Sequence, residues 1–259
     1  MNVRPRVIPC LLVDQGGLVK TTRFGSPKYV GDPINAVRIF NDKEVDELIL
    51  LDIGATRRRR GIDFKLLGEI VSEGFMPVAY GGGVTSIEDA ARLFHLGVEK
   101  VIFCSAAARQ PELVKSASKR FGSQSVLVTI DVKRNFFGSP VIYTEGGRKK
   151  AGIKFSDFLR RMVEAGAGEI ILNSIDRDGM RNGYDLALLK EASAAVPVPV
   201  VALGGAGSLE DLKAASQAGG ASALAAGRLF VFHGPNRAVL LQYPGYKKLD
   251  ELFADSVQP

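Results

Sequence analysis

Short runs of β-branched and apolar residues alternate along the chain with longer segments in which apolar residues return every three or four positions. The short runs predict eight strands, at Arg6 to Val13, Glu47 to Asp52, Met76 to Tyr80, Lys100 to Phe103, Val126 to Asp131, Glu169 to Asn173, Val198 to Leu203 and Ala221 to Ala225. The longer segments predict helices at Ile34 to Phe40, Phe64 to Ser72, Ile87 to Leu96, Glu112 to Lys119, Phe155 to Ala165, Tyr184 to Ala195, Leu209 to Gln217 and Asn236 to Gln242. Regular strand and helix alternation requires parallel strands joined by crossover helices. Eight such units favour an α/β fold of the (β/α)8 TIM-barrel type, one domain over residues 1–259, rather than an open doubly wound sheet.

The pattern also repeats. Ser86-Ile87-Glu88-Asp89 answers Ser208-Leu209-Glu210-Asp211, Gly81-Gly82-Gly83 answers Gly204-Gly205-Ala206-Gly207, and Glu47-Leu48-Ile49-Leu50 answers Glu169-Ile170-Ile171-Leu172. The chain therefore reads as two duplicated half-barrels. Equivalent loops then face each other across one mouth, where two related anion sites are expected. The stretch from Gly138 to Gly152 reads as a hairpin inserted after the fifth strand, turning at Glu145-Gly146-Gly147.

Composition narrows the class. A net charge of +6 is spread along the chain except at Arg57 to Arg60, which speaks for small anions and against a nucleic-acid-binding stripe. The Arg57 to Arg60 run reads as either a mobile phosphate-attracting loop or a solvated charge run. Two cysteines, Cys10 and Cys104, each inside an apolar run, suggest reduced thiols and a cytoplasmic protein. The absence of a signal peptide or membrane-length apolar run points the same way. His95 and His233 stand alone, so no metal site is expected, and no cofactor motif is present.

Chemistry concentrates at the predicted strand ends. Gly83 and Gly205 lie in turns that lead from strand to helix, where bare backbone N–H groups can hold an oxyanion; the same glycines also suit ordinary turns. Ser105, Ala226 and Gly227 would complete the two cradles, or serve only packing. Asp131, ending the fifth strand, is a candidate general acid or base, with a structural ion pair to Lys133 or Arg134 as the other reading. Asp178 and Gly179 occupy the sixth loop, while Asp176 and Arg177 are expected to pair with each other. Lys20, after the first strand, can reach an anionic substrate or simply be solvated. At the opposite strand ends Arg6, Glu47, Lys100 and Glu169 form either a salt-bridged ring closing the barrel floor or separate exposed charges.

Taken together these residues resemble the cyclase subunit of imidazole glycerol phosphate synthase along almost the whole chain. The resemblance is carried by Ile8-Pro9-Cys10-Leu11, Gly31-Asp32-Pro33, Gly81-Gly82-Gly83, Asp131-Val132-Lys133-Arg134, Ser174-Ile175-Asp176-Arg177-Asp178-Gly179 and Gly204-Gly205-Ala206-Gly207, among other segments. It implies a glutaminase subunit docked on the N-terminal face and a phosphorylated small-molecule ligand at the mouth. It also implies an ammonia gate formed by Arg6, Glu47, Lys100 and Glu169. The family uses a pair of aspartates; Asp131 matches one, but Leu12 stands at the other. Leucine cannot transfer a proton, and losing one of two such groups removes roughly 10²- to 10⁴-fold in rate. Asp14, two residues on, is displaced by about 6 to 7 Å along the strand. Cys104, Asn173 and Met180 replace an asparagine and two threonines of the family.

The resemblance is strongest to paralogues that serve acetamidino-sugar synthesis for surface polysaccharide alongside a separate amidotransferase. Three readings follow. One is an ammonia-conducting subunit of a glutamine amidotransferase complex, with the synthase (lyase) step impaired. The others are an authentic cyclase of histidine biosynthesis and a non-catalytic phosphate-binding scaffold.

Overall fold

The computed structural model describes residues 4–234 and 238–254. Eight parallel strands close into a barrel: β1 (Arg6–Asp14), β2 (Leu48–Asp52), β3 (Val78–Gly81), β4 (Lys100–Phe103), β5 (Val126–Arg134), β6 (Glu169–Ser174), β7 (Val200–Leu203) and β8 (Ala223–Ala226). Each strand pairs in parallel with the next, and β8 pairs with β1 to complete the ring.

Period-two alternation divides the strand side chains into two buried layers. Ile8, Cys10, Ile49, Ala79, Ile102, Leu127, Ile171, Val201, Leu203, Ala223 and Ala225 fill the barrel interior, with Leu12 and Leu51 packed against them. Their neighbours in sequence, such as Val7, Leu11, Leu48, Leu50, Val126 and Val128, face outward onto the helices. Several helices start where short polar side chains cap free N–H groups. Asp63 accepts from Leu66 N and Asp185 from Leu188 N, while Ser86 and Ser208 each close a reciprocal capping box with Asp89 and Asp211.

The duplication extends to atomic contacts. A side chain at Gly82 would meet the carbonyl of Asp52 at 2.2 Å; at Gly204 it would meet that of Ser174 at 2.7 Å. Gly83 packs against Ala55 and Gly61, and Gly205 against Arg177 and Gly183. Each residue of the second set follows its counterpart at one constant offset.

Several expectations need correction. Of the helix expected at Asn236 to Gln242, Asn236 and Arg237 lie outside the described residues. Ala238–Val239 instead forms a short strand antiparallel to Phe232–His233, which also places His233 in a strand. Pro244 bars a helix through this segment, and the final helix begins beyond it at Tyr246–Ala254. Asp176 and Arg177 do not pair with each other: Asp176 accepts from Arg134 N, and Arg177 donates to the carbonyls of Asn182 and Gly183. The expected hairpin is present as Pro140–Thr144 against Lys149–Lys150. Arg57 and Arg58 lie in a one-turn helix, Ala55–Arg58; Arg58 pairs with Asp14 and Arg60 with Asp52. No helix among the described residues is long and apolar enough to cross a membrane.

Candidate functional site

At the N-terminal end of the barrel, four charged side chains from four strand starts converge. Arg6 contacts Glu47 and lies 2.7 Å from Glu169, while Lys100 lies 2.8 Å from Glu47 and 2.9 Å from Glu169. Each cation thus bridges both anions in an alternating ring. Glu47 is 2% exposed, so its charge is tolerable only through this pairing. Separate exposed charges, the alternative open from sequence, are excluded by these contacts.

At the opposite end lies a cavity of about 520 Å³. Lys20, Gly83, Ser105, Asp131, Asp178, Gly179, Gly205, Ala226 and Gly227 all line it, as does Leu12. The two glycine turns reach it by repeat-related routes. Gly82 and Gly83 have φ of +115° and +74°, and Gly204 and Gly205 of +90° and +116°, backbone conformations that L side chains rarely adopt.

Lys20 is neither exposed nor in a loop. It belongs to a strand, Gly17–Lys20, paired back onto β1, and its Nζ donates to the carbonyl of Cys10 at 2.7 Å. Burial lowers its pKa. A side chain at Gly227 would come within 2.3 Å of that Nζ, so only a glycine leaves room for the ammonium group at the end of β8. Across the mouth, the Asp178 carboxylate accepts from the Thr21 hydroxyl at 2.7 Å and from Phe24 N, tying the loop after β6 to the one after β1. Ser105 accepts from Glu145 N at 2.8 Å, which anchors the inserted hairpin over the first turn.

Asp131 is buried on β5, between Asn173 Nδ2 at 3.0 Å and Cys104 Sγ at 3.4 Å. It does not pair with Lys133 or Arg134; Arg134 instead holds Asp185 at 2.7 Å. Burial raises the Asp131 pKa to about 6, against the opposing effect of the two hydrogen bonds it accepts. A carboxyl that titrates there can exchange protons near neutral pH. Burial, with the neighbouring carboxylate second, keeps the Cys104 thiol protonated, so it serves as a hydrogen-bond donor and not as a thiolate. Cys10 is likewise an inert buried thiol, its pKa pushed up to about 12 by burial.

The strand registers locate Leu12 independently of any family pattern. Leu12 pairs with Leu51 across β1 and β2, while Asp131 pairs with Asn173 across β5 and β6. The same step of the duplicated half-barrel is apolar on one side of the mouth and polar on the other. Asp14 does not restore the missing group: it is salt-bridged to Arg58 and does not line the cavity. Thr129, which lines the cavity below Asp131, was read from sequence only as part of a strand, although its spacing of two from Asp131 already sets it on the same face.

Among the described residues, no group of acidic, histidine and cysteine side chains could hold a metal ion. Strands and cavity define a (β/α)8-barrel protein with its main cavity at the C-terminal strand ends. The family described as histidine biosynthesis protein matches residues 6–234, and the chain belongs to it. It is 51% identical to a Pseudomonas aeruginosa protein provisionally named imidazole glycerol phosphate synthase subunit hisF2, over 96% of this chain and 99% of the relative. A provisionally named HisF subunit of Leptospira interrogans is 47% identical over 97% of this chain and 99% of its own length. The imidazole glycerol phosphate synthase subunit HisF of Alkaliphilus metalliredigens is 40% identical over 89% and 92%.

Proposed function

We propose that this protein is the barrel subunit of a glutamine amidotransferase complex, conducting ammonia from a glutaminase bound at its N-terminal face to the mouth, with cyclase chemistry impaired. The observation that carries this reading is the contrast between the two ends. The floor keeps a complete alternating ring of Arg6, Glu47, Lys100 and Glu169, which would gate ammonia entry. The mouth has Asp131 but an apolar Leu12 at the register position of its partner. The two glycine turns, with Lys20, Ser105, Asp178, Gly179, Ala226 and Gly227, would hold a phosphorylated ligand above that pair. The names of the relatives, each a synthase subunit, support membership of a multi-subunit complex, and the resemblance read from the sequence supports a glutaminase as the partner. The resemblance read from the sequence supports a separate amidotransferase as the consumer of the ammonia, making an acetamidino sugar of a surface polysaccharide. No metal or cofactor is called for.

The test is a cyclase assay with the bisphosphorylated nucleotide of the family, ammonium salts as nitrogen source and an aspartate-bearing relative as reference. The expected rate is lower by about 10²-fold or more, and Leu12→Asp should raise it. Turnover equal to the reference would overturn the impairment and favour an authentic cyclase of histidine biosynthesis. In a complex with the glutaminase, Lys100→Ala should reduce transfer of glutamine nitrogen while leaving ammonium-dependent turnover in place. A chain that binds no glutaminase would act only as a phosphate-binding scaffold.

A further inference from the structure

Among the described residues, two buried oxygens near the barrel axis have no hydrogen-bond partner: Glu47 Oε1 at the floor and Thr129 Oγ1 below the mouth. Thr129 is 6% exposed and lines the base of the cavity. A buried hydroxyl without a partner is uncommon, because it has lost its water and gained nothing in exchange. This one sits on the inward face of β5, between Leu127, which belongs to the interior apolar layer, and Asp131.

The duplication shows what is particular about the position. Thr129 pairs with Ile171 across β5 and β6, and Cys10 pairs with Ile49 across β1 and β2. Thr129 and Asp131 on β5 thus correspond to Cys10 and Leu12 on β1. One wall of the upper lumen offers a hydroxyl followed by a carboxylate. The facing wall offers a protonated thiol and a leucine, beside Leu51 and Ile102.

We propose that Thr129 and Asp131 form a station for ammonia or ammonium on the β5 wall, at the base of the mouth; the idea rests on the conducting role given above. Side chains two apart on a strand are separated by about 6 to 7 Å. A nitrogen at hydrogen-bond distance from each end spans about 6 Å. The Thr129 hydroxyl can accept from an N–H or donate to the ammonia lone pair, and the Asp131 carboxylate accepts a further N–H. Asn173 and Cys104 already donate to that carboxylate from its flanks, fixing it while leaving it acceptor capacity. Water could satisfy the same hydroxyl, so the test compares the two.

The carboxyl carbon of Asp131, labelled with carbon-13 and assigned by its loss in Asp131→Asn, is followed at pH 7 by NMR. Ammonium chloride is titrated against sodium chloride at equal ionic strength. The wild type should show a saturable shift with ammonium and none with sodium. Thr129→Val, close in shape but without the hydroxyl, should weaken the apparent affinity by about fivefold or more, the scale of one hydrogen bond. Thr129→Ser should stay near the wild type, and Thr129→Ala serves if the valine variant does not fold. A valine or alanine response equal to wild type, an equal response to sodium, or no saturable response in the wild type would each overturn the station. Glutaminase coupling is measured separately, so a conduit lacking this station and a station lacking a conduit give different results.

Discussion

The Asp131 carboxyl is held away from water at a cost that depends on its charge. Its pKa lies near 6 in the folded protein, against 3.8 when exposed, because burial penalises the ionised form. The protonated folded state is favoured below the lower value, and that stability is lost as pH rises through 6. Two units correspond to roughly 3 kcal/mol as an upper figure. Asp131→Asn should therefore raise the melting temperature at pH 8, and the gain should fade between pH 6 and pH 4. Equal melting shifts at both ends of that range would refute a buried, titrating carboxyl. The residue scale is also where the sequence was least informative. Asp131 is conspicuous as the polar end of an apolar run; Leu12 stands out in the sequence only through the family resemblance, and strand register sets it opposite Leu51 without that resemblance. Thr129 carries only its spacing of two from Asp131, since threonine is otherwise an ordinary strand residue. Its isolation becomes visible only when every neighbouring donor and acceptor is accounted for.

At the scale of elements, the turns after β3 and β7 concentrate the constraint. Gly82 and Gly205 both have φ near +115°, and a Cβ there would lie 2.2 and 2.1 Å from the carbonyl oxygens of Asp52 and Gly183. Gly82→Ala and Gly205→Ala should each lower the unfolding free energy by about 2 to 4 kcal/mol, measured by chemical denaturation. Ser86→Ala and Ser208→Ala, which remove matching helix caps, should cost only about 1 kcal/mol each. Similar costs at all four positions would contradict this account. The strands and most helices were legible because their periodicities of 2 and 3.6 survive in the interior and outer apolar layers. The segment around Ala238 was not legible. Its Ala-Val-Leu-Leu run fits a helix until Pro244 and the pairing of Val239 with Phe232 are considered together. For Lys20 only the solvated alternative falls, and for a related reason: a lysine near glycines reads as a loop residue, yet Leu18 and Val19 draw its backbone into a strand and bury it.

Over the whole molecule, charge and polarity are segregated by end. The floor matches two cations with two anions, whereas Lys20, Arg57, Arg109, Lys133 and Arg148 all reach the cavity at the mouth. Anionic ligands should accordingly bind more weakly as salt rises. A sulfate or phosphate titration followed by calorimetry at two ionic strengths would check this, and binding indifferent to salt would count against it.

The duplicated contacts have a further effect on assembly. The β1 and β5 strands begin equivalent halves, and Gly61 and Gly183 receive their glycine neighbours in matching ways. During folding, one half can therefore meet its complement on a second chain nearly as well as on its own. Refolding at high concentration should yield interlocked dimers that exchange halves, detectable by size-exclusion chromatography and diminishing on dilution. Each closed barrel in such a pair would still carry one floor ring and one mouth cavity, although its two walls came from different molecules.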